Sequence, residues 1–229
     1  MHVPDGFLDA PTSLATGVVA AAGVAVALRG ARRELDDRTA PMAGLVATFV
    51  FAGQMINFPV GAGTSGHLMG GALAAVLVGP WSAVLCLSVV LLVQALLMAD
   101  GGITALGTNI TLIGLVTVAV GWLMFVGLRA VLPRRPASVV PAAAAGAFLS
   151  VPVAAVVFTL LFAVGGTAPV DLSAVLTAML AWHSVIGVGE AAVTSLVVGS
   201  VVAVRPDLVH GARPVLRQRE LEIRPAVAR

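Results

Sequence analysis

Apolar stretches bounded by Pro, Gly or charge run through 11–28, 41–58, 67–79, 81–99, 106–128, 139–164 and 172–204. A helix rises about 1.5 Å per residue, so crossing a hydrocarbon core takes roughly 20 residues, with a range of about 17 to 25. Most of these runs are long enough, while 67–79 is short and 172–204 is long. The pattern predicts an all-α polytopic membrane protein, a bundle of about seven transmembrane helices over 1–204. Residues 205–229, where Arg, Pro and Glu alternate, read as a basic cytoplasmic tail with no core of its own and a short helix over 215–223.

Composition removes the alternatives. Of 229 residues, 59% are hydrophobic and only 10% charged, with a mean hydropathy of +1.04. Soluble globular chains carry about 25% charged residues, so a soluble domain is excluded. Lysine is absent, and a P-loop ATPase needs one to reach its phosphates; any ATP hydrolysis must come from a partner. The lone Cys86 lies inside an apolar run, which excludes internal disulfides, Cys-rich zinc sites and iron–sulfur clusters. A pI near 9.9 would suggest nucleic acid in a soluble protein, but the placement of the basic residues points to a lipid bilayer instead.

All thirteen basic residues are arginines in three clusters: Arg29, Arg32, Arg33 and Arg38; Arg129, Arg134 and Arg135; and Arg205, Arg213, Arg217, Arg219, Arg224 and Arg229. Arginines in short loops accumulate on the cytoplasmic side. Seven crossings with the N-terminus outside and the C-terminus inside put every cluster there, which requires 67–79 to cross as a short or tilted span followed by a tight Gly79-Pro80 turn. The outer side then carries Asp5, Asp9, Asp100 and Asp171 and no basic residue, a field that favours an approaching cation. Residues 1–10 lack the positive n-region of a signal peptide, so the mature chain is expected to begin at Met1.

The histidines are His2, His67, His183 and His210. His210 stands among tail arginines and reads as a solvated side chain. His2 and His67 both fall at the outer surface. A histidine at position 2 offers its imidazole, its own backbone nitrogen and the Met1 α-amine to one divalent ion, and a nitrogen from His67 would complete the planar four-nitrogen set that Ni(II) or Cu(II) favours. The alternative is a disordered terminus in which His2 has no role. Val3-Pro4-Asp5-Gly6 speaks for order, because Pro and Asp-Gly set a turn that folds the terminus back and lets Phe7-Leu8 plug into the bundle. The small-residue loop 61–66 leads to His67 at an expected helix start, where Thr64 or Ser65 can cap.

His183 and Glu190 lie seven residues apart and share a helix face about two turns long. Ionisable residues inside a membrane face the bundle interior and mark either function or helix-to-helix adhesion; support of a metal site, a cation path and a structural pair all remain open. Gln54, Asn57, Gln94 and Asn109, near outer helix ends, read as interhelical hydrogen-bonding groups. Gly17, Ala21 and Ala25 form a small-residue stripe along the first run that allows another helix, internal or foreign, to approach closely.

Four motifs in order carry a resemblance: Met1-His2-Val3-Pro4-Asp5-Gly6-Phe7-Leu8, Gly63-Thr64-Ser65-Gly66-His67, the stretch 94–107 with Asp100-Gly101-Gly102, and His183-Ser184-Val185-Ile186-Gly187-Val188-Gly189-Glu190. Together they resemble the substrate-binding membrane subunit (S-component) of nickel and cobalt energy-coupling factor (ECF) transporters, the CbiM/NikM type. The resemblance implies a multi-pass plasma-membrane subunit that captures Ni2+ or Co2+ outside. It also implies a transmembrane coupling subunit, two cytoplasmic ATPases and, in some members, a small helper membrane subunit as partners. It implies Met1, His2 and His67 as the metal-holding residues, and gives Gly17, Ala21 and Ala25 a contact with the coupling subunit. Asp100 and Glu190 belong to its motifs without an implied ligand role. Pro4-Asp5-Gly6 leans towards the nickel members. No catalytic constellation is evident, so an enzyme is disfavoured; the competing reading is a stand-alone secondary transporter or channel for a divalent cation.

Overall fold

The computed structural model describes residues 1–36, 39–61 and 64–216. The eight described helices are α1 (Ala10–Ala31), α2 (Ala40–Gln54), α3 (Gly71–Val78), α4 (Pro80–Val93), α5 (Leu106–Asn109), α6 (Thr117–Val131), α7 (Val139–Gly165) and α8 (Leu172–Val204). A π-helical turn, Gln94–Met98, prolongs α4, and another, Ile110–Val116, joins α5 to α6. Five helical stretches are long and apolar enough to cross a membrane: Ala10–Ala31, Pro80–Met98, Leu106–Val131, Pro136–Gly165 and Leu172–Val204. Their outward faces are apolar, with Leu14, Leu123 and Leu196 each about 70% exposed; in water such a surface would aggregate, and in lipid it is solvated.

The remaining two apolar runs are shorter as helices than their hydropathy suggests. The run 41–58 stays helical only to Gln54, then enters an antiparallel hairpin of β1 (Phe58–Gly61) and β2 (Thr64–Gly66). The run 67–79 yields the eight-residue α3, roughly 12 Å long, preceded by four non-helical residues. The helix begins at Gly71 rather than at His67, and its N-cap is Gly70, in the left-handed region at φ 78°, rather than Thr64 or Ser65. Non-helical backbone is tolerated at this depth only when buried in protein. Every residue of α3 is buried, and the amides ahead of it are satisfied by Glu190: Met69 N–H and Gly70 N–H donate to its two carboxylate oxygens at 2.8 and 2.6 Å.

Small residues bring α3, α6 and α7 together at the centre. A Cβ on Gly121 would collide with Ala72, and one on Gly146 with the Gly121 carbonyl, so backbone packs on backbone where larger side chains would hold the helices apart.

Contacts sort the molecule into two ends. At one, Leu8 pairs with Gly166 and Asp9 N–H donates to the Gly165 carbonyl at 2.7 Å, while the Asp9 side chain caps α1 through Thr12 N–H at 2.9 Å. At the other, Trp81 and Ser82 at the start of α4 donate to Glu34 just beyond α1, and Arg213 reaches the Glu34 carbonyl. The eight described arginines all lie on segments at this second end, whereas His2 and His67 lie at the first. Arg38 and the arginines from 217 onward fall outside the described residues, as does most of the helix expected over 215–223. The chain beyond Val204 does not leave the bundle at once: Val209, Ala212 and Val215 are buried against it.

Candidate metal site

The N-terminal segment is held as a strand would be, by its backbone. Val3 N–H donates to Asn109 Oδ1 at 2.7 Å, Asn109 Nδ2 donates back to the Val3 carbonyl at 3.1 Å, and Gly102 N–H adds a third bond to the same carbonyl at 2.9 Å. A turn then closes between the Pro4 carbonyl and Phe7 N–H, with Gly6 at φ 74°. Asp5 accepts from Thr104 N–H at 2.7 Å, and its stabilising bonds from Thr104 hold its carboxyl below the usual range. Phe7 packs against Phe158 and Phe162, with centroids 5.9 and 5.4 Å away. Anchored on both sides, Met1 is fully buried.

Its α-amine rests directly on His67 Nε2. His67 Nδ1 lies 2.7 Å from its neighbour's carbonyl, that of Leu68; the proton assigned to Nδ1 by this bond leaves Nε2 with a lone pair aimed at the amine. Metal-binding histidines are oriented in this way by a hydrogen bond from the other ring nitrogen. The His2 ring stacks on that of His67 at 4.3 Å between centroids and 23° between planes. His2 Nδ1 stands 3.1 Å from Asp100 Oδ1, yet the direction is not that of a hydrogen bond, and both ring nitrogens are buried without an aligned partner. Gln94, on the π-helical turn beside His2, is buried in the same unpartnered condition. Asn57 Nδ2 steadies Asp100 at 3.3 Å.

The electrostatics follow from burial. Loss of water pushes the Met1 amine well below its ordinary range, against the opposing pull of Asp100 and Glu190. It likewise lowers His2, where Asp100 resists. Contact with His2 holds the Asp100 carboxyl down, so this group stays anionic. The result is a buried amine and a buried imidazole beside one carboxylate, with burial acting against their protonated forms, and metal ligation needs such nitrogens without their protons. Among the described residues no three His, Cys, Asp or Glu side chains gather into a metal cluster; the amine and a backbone nitrogen would have to complete the donor set.

Glu190 supports this arrangement from below, since the amides it binds follow His67 by two and three residues; Gln54 Nε2 assists by donating to the Met69 carbonyl at 2.9 Å. His183 and Glu190 share a face but do not bond each other. His183 Nδ1 pairs with the Met179 carbonyl at 2.8 Å, while its Nε2 is buried without a partner. His210 is not the solvated side chain expected of it: it is half-buried and packs on Trp122 at 5.6 Å. The small-residue stripe divides as well. Gly17 lies against Gly107, where a Cβ on the latter would strike the Gly17 backbone, whereas Ala21 and Ala25 face outward.

Two groups central to the architecture carried no signal in the sequence. Asn109 looked like an interhelical donor and is the clamp on Val3; Glu34 did not stand out at all. A hint for Glu34 existed in Gly79-Pro80-Trp81-Ser82, a helix start whose first amides need an acceptor.

A helical bundle with an apolar exterior and buried amine and imidazole nitrogens gathered at one end has the features of a membrane transport protein. The chain belongs to the CbiM family, the cobalt uptake substrate-specific transmembrane region, whose profile matches residues 2–208. It is 38% identical over 209 residues to a Haloquadratum walsbyi protein provisionally named a metal transport protein, covering 91% of this chain and 93% of the relative. A fused nickel transport protein NikMN of Rhodobacter capsulatus is 44% identical over 109 residues, 48% of this chain and 31% of that longer protein. A cobalt transport protein CbiM of Sorangium cellulosum is 41% identical over 128 residues, 55% of this chain and 57% of the relative. The crystal structure of a truncated transition metal transporter superimposes with a TM-score of 0.81 at 30% identity, covering 89% of this chain and 99% of that one.

Proposed function

We propose that this chain is the substrate-capture subunit of an ECF transporter importing a divalent transition-metal ion, with Ni2+ favoured over Co2+. It lies in the plasma membrane with seven passes, the histidine end outside and the arginine end in the cytoplasm. The observation that carries this reading is the buried contact between the Met1 amine and His67 Nε2, with the His2 ring stacked alongside. The ion takes the amine, the His2 backbone and imidazole nitrogens and His67 Nε2. Asp100 offsets the positive charge from one side, and Glu190 positions His67 through Met69 and Gly70. Nitrogen donors from adjacent chelate rings favour a planar arrangement, which suits Ni(II) better than most divalent ions.

Energy for uptake comes from two cytoplasmic ATPases acting through a coupling subunit, because a chain without lysine has no P-loop. The outward Ala21 and Ala25 of α1 offer that subunit a close approach; Gly17, packed on Gly107, contributes from within. A small helper membrane subunit completes the assembly where one is required.

The decisive experiment adds one residue ahead of Met1. The extended protein should fold with an unchanged melting profile and lose about 100-fold or more of its Ni2+ affinity in a calorimetric titration, because the terminal amine moves out of the chelate. Undiminished affinity overturns the ligand set. Uptake that persists without the ATPase subunits would instead identify a stand-alone carrier.

A further inference from the structure

A second site lies at the opposite end of the bundle. The last turns of α6, the loop after it and the returning tail enclose a cleft of about 350 Å3, whose walls include Trp122, Phe125, Arg129, Arg134, His210 and Val215. One side is cationic and the other apolar. Among the described residues no carboxylate lines the cleft and neither Arg129 nor Arg134 is in an ion pair; Arg129 spends one donor on the Pro133 carbonyl at 3.3 Å. His210 contributes a buried Nδ1 that has no hydrogen-bond partner. The apolar side continues onto a flank of α6 where Leu123 and Val126 are 70% and 46% exposed, a surface on which acyl chains can lie.

We propose that this cleft binds the headgroup of an anionic phospholipid, its phosphate taken by Arg129 and Arg134 and its acyl chain laid along α6. Guanidinium groups match phosphate oxygens two at a time, and basic pockets between helices next to an anionic leaflet are a recurrent means of lipid recognition. The apolar flank distinguishes this ligand from a free phosphate, which has nothing to place there. Since residues 210–215 form one wall, an occupying lipid ties the tail to the bundle.

The test uses the full-length protein in non-ionic detergent, titrated with phosphatidylglycerol or phosphatidylcholine and read by native mass spectrometry. Phosphatidylglycerol should be retained about 30-fold more strongly, given roughly a five-fold gain for each arginine beside the bilayer. The double variant Arg129→Gln/Arg134→Gln should bring its retention down to the phosphatidylcholine level. Arg134→Gln alone, a change at an exposed loop residue, should cost about five-fold and covers the case in which the double variant fails to fold. Arg205→Gln, at the same end but outside the cleft, should change nothing. Equal retention of the two lipids, an equal loss in Arg205→Gln, or displacement of phosphatidylglycerol by millimolar inorganic phosphate would overturn the proposal.

Discussion

The two ends of the bundle each bury a glutamate against the start of a helix, and they use it differently. At the arginine end Glu34 receives Trp81 N–H at 3.2 Å, Ser82 N–H at 2.7 Å and Ser82 Oγ–H at 2.9 Å, so donor and acceptor needs are met locally. At the histidine end Glu190 is equally saturated by Met69 and Gly70, but around it stand nitrogens that are not: both of His2 and Nε2 of His183, together with the Gln94 amide. A buried polar atom with its partners is scaffolding. Buried polar atoms left without them carry a desolvation cost that a ligand can relieve; several gather beside the proposed metal site, and at the arginine end His210 Nδ1, in the cleft, is another.

That division can be broken by substitution. His67→Ala should have the largest effect on affinity, lowering Ni2+ binding by about 100-fold with little change in the melting midpoint. Glu34→Ala should do the reverse, leaving affinity intact and lowering the midpoint by about 5 °C through its lost hydrogen bonds. Were Glu34→Ala to weaken nickel binding as strongly as His67→Ala, the distinction between the ends would collapse. Asn109→Ala frees Val3 and should reduce affinity by about 10-fold, with the loss appearing as faster release, because the chelate must then be ordered at each binding event. Asp100→Asn should be milder, a few-fold.

The pH dependence sharpens the same contrast. With the proposed ligand set, protons compete with the metal for the amine and the imidazoles, so affinity should fall as pH falls. Burial depresses the amine and His2, which should move that loss to lower pH than in an unstructured peptide beginning Met-His-Val. Parallel Ni2+ titrations of protein and peptide between pH 8 and 5 measure the displacement, and coincident curves would mean that the terminus is solvated.

Much of this was legible in the chain itself. Arginine spacing separates the two ends, because arginines cluster in the loops on one side only. The turn at Pro4-Asp5-Gly6 and the apolar Phe7-Leu8 announce an ordered terminus, and Phe7 is indeed packed between two phenylalanines. What hydropathy could not convey is where a helix begins. Leu68 and Met69 continue the apolar run, yet residues 67–70 are non-helical, with Glu190, more than a hundred residues later, supplying the acceptors for the Met69 and Gly70 amides. His210 was misread for a related reason: tail arginines imply solvent, while the aromatic face of Trp122 that shelters it lies far away in sequence. His183 and Glu190 were paired by helical period, but each is satisfied first by backbone, which no period records.

The buried eight-residue helix α3 has a mechanical meaning. Buried on every side, α3 has no lipid to slide through, and close-packed interiors transmit displacement instead of absorbing it. Glu190 grips the chain just ahead of it, and Glu34 grips the amides that follow the Gly79 turn. It therefore ties the segment that carries His67 to the turn at Gly79 as one short, doubly anchored piece.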